Sequence, residues 1–176
     1  MDRFVIMGVS GCGKSEIGAG LAQALGAVYI DGDDLHPATN VAKMAAGTPL
    51  SDADRAPWLD RVGAALAAGD GPTIIGCSAL KRIYRDRIRA GVGGPVMFVH
   101  LAGDKALIAG RMGARTGHFM PPALLDSQFA ALEPPTPDET FLRIDIAPPR
   151  PAVVADIVAR LQAQGLFHPP HQGQHP

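Results

Sequence analysis

The chain has 176 residues, 47% hydrophobic and 19% charged, which fits one globular domain with a sizeable core and excludes a disordered or collagen-like chain. A formal net charge of -1 excludes a general attraction to nucleic acid or acidic membranes, and two cysteines are too few for a disulfide framework or a structural zinc site. No apolar run reaches membrane-spanning length and no leader pattern precedes the first strand, so a soluble, cytoplasmic protein with no membrane or nucleic-acid partner is expected.

Arg3 to Met7, with the continuous apolar run Phe4-Val5-Ile6-Met7, reads as a buried parallel strand. Next comes Gly8-Val9-Ser10-Gly11-Cys12-Gly13-Lys14-Ser15, which fits G-x-x-x-x-G-K-[ST] at every fixed position. In that pattern the glycines let backbone N–H groups turn inward to phosphate oxygens, the lysine adds charge at the terminal phosphates, and the serine hydroxyl ligates magnesium. The following helix points its positive end at the same anion. A plain Gly-rich turn is the alternative, but the strand before and the amphipathic helix after favour a nucleotide phosphate site. Cys12 contributes its backbone N–H. A thiolate there would be stabilised by Lys14 and the helix dipole, which predicts alkylation that bound nucleotide suppresses.

The helix after Lys14 carries Ile17, Leu21 and Leu25 on one stripe and stops at Gly26. A second strand at 27–30 ends in Asp31-Gly32-Asp33-Asp34, placing carboxylates on the edge where open α/β sheets bind ligands. Capping of the next helix is the competing role for this cluster. A short helix is expected between His36 and Gly47, with Pro37 in its first turn, and another after Ser51, where Asp52 and Asp54 suit a helix start. Trp58, Val62 and Leu66 stripe the latter.

A third strand at 73–76 turns through Cys77-Ser78-Ala79-Leu80-Lys81 into a basic helix at 82–89. A fourth strand at 96–101 and a helix at 104–112 follow. Residues 114–122 form a Gly- and Pro-containing link suited to a mobile lid. A helix striped by Leu125, Phe129 and Leu132 ends at Pro134-Pro135, a fifth strand covers 141–146, and Val154, Ile157, Val158 and Leu161 stripe the last helix. Residues 1–164 then make one domain, with 165–176 as a disordered tail whose His168, His171 and His175 lack the support a metal site needs. Strands alternating with helices imply a three-layer α/β fold with a parallel sheet and right-handed crossovers.

The phosphate loop, then Asp31-Gly32-Asp33-Asp34-Leu35-His36-Pro37, Asn40, Lys43-Met44, Gly47, Pro49-Leu50, Asp52, Asp54-Arg55 and Pro57-Trp58-Leu59, together resemble the gluconokinases of the P-loop small-molecule kinases. Cys77-Ser78-Ala79-Leu80-Lys81, Tyr84-Arg85-Asp86, Arg111, Arg115 and Gly117-His118-Phe119 extend the likeness over roughly residues 4 to 160. The resemblance implies a P-loop NTPase fold with an adenylate-kinase-like five-stranded parallel sheet, transfer of the ATP γ-phosphate to the 6-hydroxyl of D-gluconate, and a homodimer. Cys12 departs from it, since serine or alanine is common there.

On that basis Gly8, Val9, Ser10, Gly11, Cys12, Gly13, Lys14 and Ser15 hold the phosphates of ATP, with Ser15 and Asp31 on Mg2+ and Asp145 a weaker alternative. Asp33 is the candidate to accept the hydroxyl proton, although an ordinary carboxylate near pKa ~4 is a poor base for an alcohol and positioning can matter more. Gluconate offers one carboxylate and a row of hydroxyls, which calls for a cation among short polar groups. Arg55 leads, because a guanidinium grips a carboxylate with two parallel bonds, unless it pairs with Asp52 or Asp54. Lys81, His36 and Lys43 complete the set; a solvated helix start, a capping or core imidazole and an exposed lysine are their plainer roles. Trp58 is core or a sugar platform, and Asn40 and Gln128 are candidates for bonding hydroxyls. Arg111 and Arg115, four apart, share a helix face if the helix continues, and the resemblance carries them to the adenine and phosphates. His118 is placed against substrate or phosphate as the lid closes. A kinase for another hydroxy acid such as shikimate and a non-catalytic nucleotide-binding module are the rival readings.

Overall fold

In the computed structural model, which describes residues 1–113 and 122–167, five strands form one parallel sheet. The strands are β1 (Arg3–Met7), β2 (Val28–Asp31), β3 (Thr73–Gly76), β4 (Met97–Ala102) and β5 (Phe141–Asp145), in the spatial order β2-β3-β1-β4-β5. The central strand β1 pairs Ile6 with Gly76 on one side and Met7 with His100 on the other. All strands therefore deliver their carboxyl ends, and the links that follow them, to one edge of the sheet.

Alternation along β1 divides the core into two layers, as a pleated strand buried on both faces requires. Phe4 and Ile6 pack with Ile17, Leu21 and Leu25 of α1 (Lys14–Leu25) and with Val153, Ile157 and Leu161 of α7 (Arg150–Ala163). Val5 and Met7 pack on the opposite face with Trp58, Leu59, Val62 and Leu66 of α3 (Asp52–Ala67) and Tyr84 and Ile88 of α4 (Arg82–Val92). The helices α2 (Ala38–Ala45), α5 (Lys105–Gly113) and α6 (Pro122–Ala131) complete the set among the described residues.

Differences from the expected elements have local causes. After β2, Gly32–Leu35 folds as a 3-10 turn, with the Asp31 carboxylate accepting from the Asp33 N–H, and Pro37 takes the N-cap position, so α2 starts at Ala38. The helix expected at 82–89 continues to Val92 and stops where Gly93 adopts φ 67. At the start of α3, Ser51 and Asp54 exchange a reciprocal capping box. The tail expected to be disordered from residue 165 begins in an ordered way: the Leu166 N–H donates to the Leu161 carbonyl, and Leu166 and Phe167 pack on the core. The supposed lid falls mostly on residues 114–121, outside the described residues.

Candidate active site

The phosphate loop runs from the end of β1 into α1. Gly11 sits at φ 80, where a Cβ would also come within 2.5 Å of Met112, and Gly13 at φ 97 turns the chain so that the first N–H groups of α1 face the loop. Lys14 spans the loop, its Nζ donating to the carbonyls of Gly8 and Val9 at 3.1 Å each. Among the described residues two backbone N–H groups of the loop are tied from outside. The Gly8 N–H donates to the Ser78 carbonyl at 3.2 Å, and the Ser10 N–H donates to Gln128 Oε1 at 2.6 Å. Gln128 therefore lies against the phosphate loop.

Asp31 connects the loop to the turn that follows β2. One carboxylate oxygen accepts from Ser15 Oγ at 3.2 Å and the other from the Asp33 N–H at 3.0 Å. A hydroxyl and a carboxylate side by side are hard oxygen donors of the kind Mg2+ takes when it keeps several waters and leans on substrate phosphates. Ser15 and Asp31 thus fit the ion. Asp145 instead caps the turn at Ala147, 2.9 Å from its N–H, after the edge strand β5. Asp33 is exposed at the start of the 3-10 turn, and its carboxylate accepts no hydrogen bond among the described residues.

Behind Asp33, Trp58 is both core and scaffold. It is 3% exposed, its indole N–H donates to the Gly32 carbonyl at 2.6 Å, and its ring stacks on His36 with centroids 4.1 Å apart at 14°. The Asn40 amide nitrogen donates to the Asp54 carbonyl at 2.8 Å, which fixes which end of the amide is nitrogen. The same nitrogen lies 3.3 Å from His36 Nδ1, so Nδ1 accepts and the ring proton rests on Nε2. Burial, with Arg55 assisting and Asp33 opposing, pushes the His36 imidazole below its usual range, keeping it neutral near pH 7.

The cations divide into paired and free. Lys43 Nζ lies 2.6 Å from Asp54 Oδ1, and this bond, with those from Ser51, holds the Asp54 carboxyl down at about 2. Lys81 bonds both oxygens of Asp52, at 2.9 and 2.8 Å, and Tyr84 donates its hydroxyl to the same carboxylate. The Lys81 and Tyr84 bonds depress Asp52, and Asp52 in turn raises Lys81. Arg55 bonds the Leu50 carbonyl and lies 5.8 Å over the Tyr84 ring, with Lys81 5.6 Å from that ring. Among the described residues Arg55 is the member of this set without a carboxylate partner, so the ion pair weighed for it with Asp52 or Asp54 is made by the two lysines instead.

Arg111 lines a cleft beside the loop with Gly11, Gly13, Met112 and Arg150, and its guanidinium donates to the Ile146 carbonyl at 2.6 Å. Arg115 and His118 lie outside the described residues.

The expected reactivity of Cys12 is overturned. Its side chain is fully buried, facing Gly8 and Leu101, and desolvation outweighs Lys14 and raises the thiol above its ordinary value. Sequence reasoning assigned no role to Tyr84, although its place one helical turn after Lys81 was the available signal. It also passed over the buried pair of Arg85 and Glu139, for which no local signal exists.

A glycine-rich phosphate loop leading from the middle strand of a β2-β3-β1-β4-β5 parallel sheet defines a P-loop kinase of the adenylate-kinase type. The family model described as AAA domain matches residues 4–135. The thermosensitive gluconokinase of Escherichia coli (strain K12) is 52% identical over 149 residues, covering 82% of this chain and 79% of that protein. The gluconokinase of Gluconobacter oxydans (strain 621H) is 45% identical over 167 residues, covering 92% and 93%. A crystal structure of a gluconokinase from Sinorhizobium meliloti 1021 superposes with a TM-score of 0.85 at 44% identity, covering 92% of each chain. The chain belongs to the gluconokinase family of P-loop kinases.

Proposed function

We propose that this protein transfers the γ-phosphate of ATP to the 6-hydroxyl of D-gluconate, giving ADP and 6-phospho-D-gluconate. The observation that carries the proposal is the bridge made by Asp31, which joins Ser15 of the phosphate loop to the turn presenting Asp33, beside a cluster in which Arg55 has no carboxylate partner among the described residues. Phosphoryl transfer asks the protein mainly for positioning and charge neutralisation. The loop N–H groups and Lys14 hold the β- and γ-phosphates. Ser15 and Asp31 would hold Mg2+, which neutralises phosphate charge when bound. Asp33 orients the acceptor hydroxyl and takes its proton as the new O–P bond forms. Arg55 grips the gluconate carboxylate with two N–H groups, while neutral His36, Lys43 and Lys81 bond the hydroxyls.

Arg111, and Arg115 by the resemblance, serve the adenine and phosphates, and closure of residues 114–122 with His118 excludes water that would compete with the sugar hydroxyl. We place the protein in the cytoplasm as a homodimer. No helix among the described residues is long and apolar enough to cross a membrane. A coupled ADP-release assay with gluconate, shikimate and nucleoside monophosphates tests the acceptor. Gluconate-dependent turnover is expected, and release driven by shikimate or a nucleotide instead would replace this reading with a rival.

A further inference from the structure

We propose that Arg85, held by Glu139 and assisted by Glu133, is a positioning residue that keeps the phosphate loop and the acceptor pocket in register for transfer. The proposal rests on the assignment of Lys81 to that pocket. Arg85 is 1% exposed. Its Nε and Nη2 donate to the two oxygens of Glu139 at 2.7 and 2.8 Å, and its Nη1 donates to the carbonyls of Ala79 and Leu80 at 3.2 Å each and of Glu133 at 2.9 Å. A buried ion pair is weak evidence of stabilisation, because desolvation offsets most of the attraction. What the guanidinium holds in place is the more informative fact.

It holds the link at 77–81 between β3 and α4. One end of this link carries Ser78, whose carbonyl receives the N–H of Gly8, the first residue of the phosphate loop. The other end carries Lys81, paired with Asp52 in the acceptor cluster. Between them Ala79, fully buried, adopts φ 43, a conformation that a non-glycine residue keeps only when its surroundings impose it.

A second line reaches the loop through Glu133. Its N–H donates to the Leu80 carbonyl at 2.9 Å, and its carboxylate accepts from the Arg82 N–H at 2.7 Å, supplying the cap that Lys81 does not give to α4. Glu133 follows α6, whose Gln128 holds the Ser10 N–H. The two backbone ties of the phosphate loop, at Ser78 and Gln128, thus run to the segments that Arg85 joins.

The test compares purified full-length Arg85→Lys, which keeps the charge and loses the fork, with Glu139→Gln, which keeps the size and replaces one of the two oxygens that hold the guanidinium. Arg87→Ala, which removes an exposed pair between α4 and Asp60 of α3, is the control. For each protein kcat, both KM values and the ratio of ATP hydrolysed to gluconate phosphorylated are measured well below the unfolding temperature. Misalignment is expected to lower kcat about tenfold in Glu139→Gln and about 100-fold in Arg85→Lys. The hydrolysis ratio should rise in both, the KM for ATP should stay within about twofold, and the control should match wild type. Wild-type kcat in Glu139→Gln with only a lower melting temperature, or a fall in kcat with an unchanged hydrolysis ratio, would overturn the proposal, and Glu139→Gln decides it if Arg85→Lys does not fold. Wild-type turnover is measured first: its absence with gluconate overturns the functional reading, a result separate from any difference among the variants.

Discussion

Replacing Trp58 with phenylalanine removes one N–H while leaving an aromatic ring to stack on His36. That N–H is the donor to the Gly32 carbonyl at 2.6 Å, in a buried position where no solvent replaces it. Leaving a buried carbonyl unsatisfied costs about 1–3 kcal/mol, and the smaller ring adds a modest cavity term. A total near 2 kcal/mol corresponds to a fall in melting temperature of roughly 4–8 °C for a chain of this size. The catalytic effect is more telling, because Gly32 precedes Asp33 in the 3-10 turn and lies tight against the Gly76 carbonyl. A turn that loses its rear anchor lets the acceptor carboxylate drift, and kcat should fall on the order of tenfold while the KM for ATP holds. Thermal unfolding and coupled ADP release, measured on the same preparation well below the new midpoint, give both numbers. A variant within one degree of wild type and with unchanged kcat would refute the claim that Trp58 anchors the turn.

Arg55→Ala should raise the gluconate KM by about 10- to 100-fold, the loss of roughly 1.5–3 kcal/mol of charge-assisted bonding, with the KM for ATP little changed. Lys43→Ala should have a smaller effect, since Lys43 is already engaged by Asp54; equal effects in steady-state kinetics would remove the distinction between paired and free cations. His100, 4% exposed on β4, has its pKa pushed down to about 4 by burial, with Arg143 and Arg85 adding to the shift. The unfolded chain takes up that proton near pH ~6.5 and the folded one only near 4, so stability is lost as pH falls through this window. The loss amounts to about 3 kcal/mol at most. Urea titrations between pH 7 and 4 should show a shallower decline in His100→Asn, and parallel curves would contradict the assignment.

The parts of the fold and site that could be read from the sequence are those set by short spacings. The phosphate loop, the alternation of strands and striped helices, and carboxylates placed at the end of β2 are all local signals, and Ser51 with Asp54 announces the start of α3 three residues apart. The state of each cation is not local. Lys81 meets Asp52 across 29 positions and Arg85 meets Glu139 across 54, so no pattern near Arg55 could show that both lysines were engaged. Gln128 reaches Ser10 across 118 positions, a contact that no local pattern announces. Cys12 sits in a motif that suggests a reactive thiolate, yet side-chain direction decides its chemistry, and the thiol points into the core. Of the two roles open to Trp58, core or sugar platform, the structure shows the core one: the ring is buried, and it stacks on His36.

The proposed function assigns orientation of the acceptor hydroxyl to Asp33, so Asp33→Ala tests the account most directly. Gluconate-dependent ADP release, measured beside the affinity for ATP on the folded variant, is predicted to drop by about 100-fold or more while ATP binding stays within about twofold of wild type. Near-normal turnover, or turnover and ATP affinity falling together, would contradict it.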